Sequence, residues 1–296
     1  MFGFSAQKND TGGKPEAGVA RRHTREPLDA AASAAAYGRE KIGFVGLAAG
    51  AGATTLAFAA AEYLAALPAK RERGMAGKTK AAVRVCLLEL DPRAGAPAGS
   101  PYDKIGIDRR FAGRDFVSFY KLAAEGKPLS GALNLDGGVN WALRAPSEPC
   151  PDPISSVLHR LANNVPADVC VCDISAQGFL SATGDNQTGR AILTAILADL
   201  DRIVCIIDPL PSRLLAGAGA AETMRAAEAA GVPAVYVFNK LNPGVNLREA
   251  TRFTGVRDYI AFPAVRAEAV YAAEYACRSI AGEPEIKTAL AALFGK

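Results

Sequence analysis

The stretch KIGFVGLAAGAGATTLAFAAAEYL, from Lys41 to Leu64, constrains this chain more than any other. It reads as a short apolar strand, a loop of small residues, paired threonines and an alanine-rich helix. A strand apolar along its whole length is buried on both faces, which is the habit of strands in a parallel sheet covered by helices. Residues 42–61 carry no charge, so hydropathy alone would also admit a membrane span. The glycines and threonines in the middle of the segment, and its strand-like first half, argue against that. The reading that follows is an α/β fold: a doubly wound, mostly parallel sheet with helices on both faces.

A glycine loop between a buried strand and a helix has a specific chemistry. Backbone N–H groups curl around an anion while the helix N-terminus adds its partial positive charge, and phosphate is the usual guest. Gly50 and Gly52 supply the freedom for that approach, Ala51 and Ala53 fill the positions between and after them, Thr54 stands where a hydroxyl meets magnesium, and Thr55 faces an inner phosphate. The usual lysine before the hydroxyl is replaced by Ala53. A dinucleotide fingerprint is excluded, because position 55 is Thr where a third glycine is needed and Asp91 is too distant for the ribose acid.

Downstream, apolar runs alternate with helical patterns. The run from Val83 to Leu90 ends in Glu89 and Asp91, ADVCVCDIS ends in Asp173, and RIVCIIDP precedes a helix opened by Pro211 and Ser212, running to Ala230 and closed by Gly231. PAVYVFNKLNPG ends as a strand at Asn239 and Lys240, RDYIAFP carries Pro263 at its turn, and GGVNWALRAP is a strand preceded by a turn. ISSVLHRLANN, residues 154–164, is a short amphipathic helix, and residues 108–135 alternate short helices with loops. The terminal helix puts Ile286, Leu290, Leu293 and Phe294 on one face, which favours packing on the sheet over lying in a membrane surface.

In their order, these motifs resemble the deviant Walker A ATPases of the ParA/MinD superfamily, over residues 41 to about 280. The resemblance implies a P-loop fold with ATP and magnesium as cofactors. It implies that Glu89 and Asp91 occupy an acidic pair whose first member helps orient the attacking water, that Thr54 and Asp173 hold the metal, and that Asn239 and Pro263 border the adenine. Two lysines of the family pattern fall on Ala48 and Ala53, so the loop is degenerate. Gly178 keeps a switch glycine, but the proline that usually accompanies it is absent.

Each lost charge-assisted hydrogen bond is worth about 1.5–3 kcal/mol, and the transition state depends on such charges more than the ground state does. The expected function is therefore a partner-binding or positioning factor with weak or no hydrolysis. The alternative is a working ATPase in which Arg93, Arg213 or Lys240 replaces the lysines and drives dimerisation for a cell-envelope, pilus or DNA-segregation system. A protein partner and a homodimer are expected, with a membrane surface or DNA left open. The net charge of +4 is too small to argue nucleic acid by itself.

With 296 residues and 50% hydrophobic composition, one large core is affordable: residues 41–296 form the domain and 1–40 a flexible tail with a short helix near 28–37, or alternatively a docking arm. The basic loop over 68–80 reads as a solvated segment. Cys86, Cys170, Cys172 and Cys205 fall inside strand-like runs and read as buried thiols, while His23 and His159 are isolated. The polar, charged N-terminus lacks a secretory signal pattern, so the cytoplasm is the expected compartment.

Overall fold

The computed structural model describes residues 40–67, 84–93, 100–130, 132–145, 148, 153–182 and 186–295. Of the tail expected over 1–40, residues 1–39, with the helix expected near 28–37, lie outside the described residues, as does the basic loop 68–80, while residue 40 belongs to the first strand.

Eight strands form one sheet: β1 (Glu40–Gly46), β2 (Val85–Leu90), β3 (Leu135–Asp136), β4 (Val139–Ala142), β5 (Val169–Ile174), β6 (Arg202–Ile207), β7 (Ala234–Leu241) and β8 (Tyr259–Pro263). Their spatial order is β3-β4-β2-β5-β1-β6-β7-β8. Every pairing is parallel except β3 with β4. The chain leaves β1 to one side and later returns to its other side, so a topological switch lies at the C-terminal end of β1. A crevice forms there in sheets of this kind.

Alternation along the central strands divides the core in two. Val169 and Val171 of β5 face one side, and Cys170, Cys172 and Ile174 face the other. On the first side lie α1 (Ala53–Ala65), α2 (Pro101–Ile105), α3 (Ile107–Arg110) and, from the C-terminus, α12 (Pro284–Leu293). The second side is covered by α4 (Phe119–Ala124), α5 (Ile154–Asn164), α6 (Ala176–Ala182), α7 (Asn186–Ala198), α8 (Pro211–Ala216), α9 (Ala218–Ala229) and α10 (Leu247–Thr254). The remaining helix, α11 (Ala267–Tyr275), buries no residue fully. Ile286, Leu290, Leu293 and Phe294 are all buried against the α1 side.

Two elements differ from the sequence reading. The single helix expected from Pro211 to Ala230 is broken at Gly217 into α8 and α9. The break places Gly217 against the residue after β1: a Cβ there would lie 3.1 Å from both the Cβ and the carbonyl oxygen of Leu47. The second difference is in β7, whose pairing with β8 is irregular between Phe238 and Leu241, with Lys240 at φ 59°. The uncharged stretch 42–61 is a strand and a helix, and no helix among the described residues is long and apolar enough to cross a membrane.

Candidate functional site

The site is built on the turn from β1 into α1. Gly50 (φ 75°) and Gly52 (φ 100°) both adopt the left-handed conformation that favours glycine. Gly52 is needed for a second reason, since a Cβ there would lie 2.4 Å from the side-chain nitrogen of Asn239.

Each carbonyl from Leu47 to Ala51 accepts a hydrogen bond. Gln177 Nε2 of α6 donates to Leu47 (3.0 Å), the Ala51 amide to Ala48 (3.1 Å), and Arg213 Nη1 of α8 to Ala49 (3.0 Å). Lys240 Nζ donates to Gly50, and Asn239 Nδ2 to Ala51 (2.8 Å). Consecutive residues of a regular strand point to opposite faces. The irregularity in β7 lets Asn239 and Lys240 reach the same loop. Lys240 also pairs with the buried Asp208 at 3.0 Å.

The amide side of the turn is different. No side chain caps α1, and among the described residues no hydrogen bond is made by the amides of Ala49, Gly50, Gly52 or Ala53. Carbonyls held outward and amides left over are the arrangement that offers N–H groups to an anion.

Beside the turn lie three buried acids. Glu89, Asp91 and Asp173 are 1%, 5% and 6% exposed. Glu89 and Asp173 stand in register on adjacent parallel strands, on the face that α1 covers. Thr54 of α1 hydrogen-bonds to the Asp173 carboxylate. Burial pushes Asp173 up to about 6, while Thr54 and the nearby Lys104 pull it down. Burial pushes Glu89 further, to about 8, against the Arg144 amide that donates to Oε2 at 3.0 Å. Glu89 Oε1 has no hydrogen-bond partner among the described residues.

Asp91 is held by Arg93, whose Nε lies 2.9 and 3.0 Å from its two oxygens. The carboxylate packs so close to α6 that a Cβ on Gly178 would fall 2.8 Å from Asp91 Oδ1. That contact explains a glycine at the position where the sequence reading placed a switch. Fully buried Arg144 donates to the Arg93 carbonyl at 2.7 Å and lies over the Tyr120 ring. Tyr120 in turn donates to the Glu89 carbonyl at 2.8 Å.

The structure thus brings Gly50, Ala51, Gly52, Ala53 and Thr54 together with Asp173 and Asn239, and sets Glu89 and Asp91 next to Asp173. Thr55 follows Thr54 in the first turn of α1. Pro263 ends β8, three strands from β1, where it pairs with Leu241 of β7. Of the three cations expected to replace the lysines, Arg213 and Lys240 bind loop carbonyls and Arg93 binds Asp91. Sequence reasoning missed Gln177, Lys104 and Arg144. Only Arg144 left a signal, as a charge directly after an apolar strand.

Chemically, the hydroxyl of Thr54 and the carboxylate of Asp173 are a donor set suited to magnesium, which takes one or two protein ligands and completes its shell with water and phosphate. Among the described residues no group of three or more His, Cys, Asp or Glu side chains is placed to hold a metal unaided. The amides of the turn suit a phosphate, but Ala48 and Ala53 bring no positive charge to it.

No protein-family model matches the sequence, and no curated protein resembles it. Solved structures do. A ParA family ATPase from Chlorobium tepidum TLS superposes with a TM-score of 0.57 at 14% identity, covering 85% of this chain and 97% of that one. The septum site-determining protein MinD from Pyrococcus horikoshii OT3, solved with Mg-ADP, gives 0.59 at 13% identity, with 86% and 94% covered. The MinC:MinD cell division complex from Aquifex aeolicus gives 0.59 at 14% identity, with 87% and 96% covered. The chain has a ParA/MinD-like P-loop ATPase fold.

Proposed function

We propose that this protein is a partner-binding or positioning factor that keeps the nucleotide-binding fold but binds ATP weakly and hydrolyses it slowly or not at all. The observation that carries the reading is the fate of the cations. Alanines stand at both family lysine positions, and Arg93, Arg213 and Lys240 each have a partner other than a phosphate. A polyphosphate on this turn would meet backbone dipoles without the charges that offset its own.

Where Mg-ATP does bind, Gly50 to Thr55 would hold the phosphates, Thr54 and Asp173 the metal, and Asn239 and Pro263 would border the base. Magnesium would supply Lewis-acid charge neutralisation. Glu89 and Asp91 would stand by the metal site, Glu89 holding a proton near neutral pH and Asp91 fixed by Arg93. The second reading, an ATPase that drives its own dimerisation, draws support from the intact Thr54–Asp173 pair and from Lys104 acting on Asp173. Under either reading the partner is a protein, a homodimer is the simplest assembly, and the chain works in the cytoplasm or at a membrane surface or DNA that it does not cross or enter.

Titration calorimetry with Mg-ATP separates the two. Wild type is expected to bind more weakly than about 100 μM, and Ala53→Lys to gain roughly tenfold, the effect of one charge-assisted contact. Low-micromolar binding with steady turnover by wild type would instead establish the ATPase. Asp173→Ala is expected to remove any magnesium dependence of binding.

A further inference from the structure

The geometry points to a second binding site, for a small apolar anion such as a short acyl or aryl carboxylate, directly behind the phosphate-type loop on the side of the sheet opposite α1. A cavity of about 240 Å³ opens there between β6 and β7 and helices α8, α9 and α10. The loop itself forms part of its wall, through Leu47 and Ala48. Met224 and Phe253 provide apolar surface, and Phe253 is 55% exposed at the mouth. The volume exceeds the ~150 Å³ that suffices for a benzene ring, so a ring with a short tail or an acyl chain of roughly eight carbons fits.

The polar groups of the wall select the charge of the guest. Asp208 is the acid there, and it is already committed to Lys240 at 3.0 Å and to the Leu210 amide at 3.2 Å. The Tyr236 hydroxyl is committed to Glu228. The Thr254 hydroxyl is committed to the Ala250 carbonyl at 2.9 Å, which leaves Arg213 and Arg225. Arg213 uses one nitrogen on the Ala49 carbonyl, and Arg225 has no ion-pair partner among the described residues. An apolar cleft with two guanidinium groups and a neutralised acid favours an anion over a neutral or cationic molecule of the same shape.

The guest would also reach the loop. It would touch Leu47 and Ala48 directly, and its carboxylate would share the Arg213 that steadies Ala49. Gly217 makes this junction tight, since α8 and α9 meet against Leu47 with no space for a side chain. Binding at this site does not presuppose that the loop binds ATP.

Octanoate, octanol and octylamine probe it as three molecules of one shape and different charge, titrated into the full-length protein by calorimetry and by amide NMR. Octanoate is expected to bind saturably and shift the amides of residues 47–50, with the neutral and cationic probes about tenfold weaker or worse. Arg225→Gln, an exposed substitution that leaves the fold intact, is expected to weaken octanoate severalfold and leave octanol unchanged. Ala221→Leu, on the cavity wall, is expected to weaken both. Absence of saturable octanoate binding overturns the site. Equal binding of octanol overturns the anion assignment, and octanoate binding indifferent to both substitutions places the guest elsewhere.

Discussion

Glu89 is 1% exposed, faces Asp173 in register across two strands and keeps one carboxylate oxygen without a hydrogen bond. Burial therefore holds its proton to about 8, far above the ordinary value of 4.5. Between those values the folded state binds a proton that the unfolded state has released, so stability falls as pH rises through that window. Asp173 adds the same sign over a lower window, from 3.8 to about 6. Scanning calorimetry from pH 5 to pH 8 is expected to show the melting temperature falling by roughly 5–10 °C. Glu89→Gln keeps an acceptor for the Arg144 amide and is expected to flatten most of that slope. A melting temperature that rises over the same range in wild type would contradict the assignment. An acid at the end of a strand was legible in the sequence. Its proton was not, because it depends on the surroundings, including an amide 55 residues away.

The same contrast holds for elements. Strand β5, helix α5 and the β1–α1 turn were legible, since each is encoded by a local pattern: continuous apolar residues, a helical period and left-handed glycines. The break between α8 and α9 was not, because Gly217 and Gly219 weaken a helix locally without deciding whether, or where, it breaks. Its cause is the contact of Gly217 with Leu47. Gly217→Ala would favour the helix intrinsically and yet press a methyl group on the residue that leads into the loop. It is expected to destabilise by about 1–3 kcal/mol in urea unfolding and to increase hydrogen exchange at residues 47–52. A gain in stability, as helix propensity alone would give, would show that the junction yields freely. The irregularity of β7 is similar, for nothing in PAVYVFNKLNPG announces that Asn239 and Lys240 reach one loop.

Across the whole molecule, the two cores meet at the sheet and are closed by segments far apart in sequence. Helix α12 closes the α1 side, with Phe294 stacked on Tyr63 at 6.1 Å. Arg110 ties together α1, α3 and the β3–β4 hairpin, bonding Glu62 at 2.7 Å and Asp136 at 3.0 Å while lying 4.7 Å over Trp141. Leu290, fully buried on α12, therefore belongs to the core. Leu290→Ala is expected to cost about 2–5 kcal/mol in urea unfolding. Flotation with anionic vesicles is expected to give the same result for both proteins. Loss of vesicle binding without loss of stability would mean that the helix works at a membrane.

By itself the sequence determined the alternation of strands and helices, the glycine turn and the acids that end the strands. These are local properties, carried by periodicity and by the backbone preferences of individual residues. Tertiary structure decided which cations hold the loop, which acid keeps a proton, and where a cavity opens behind Leu47. Such features arise between residues as distant as Ala51 and Asn239, 188 positions apart, and become definite only when the sheet sets those residues side by side.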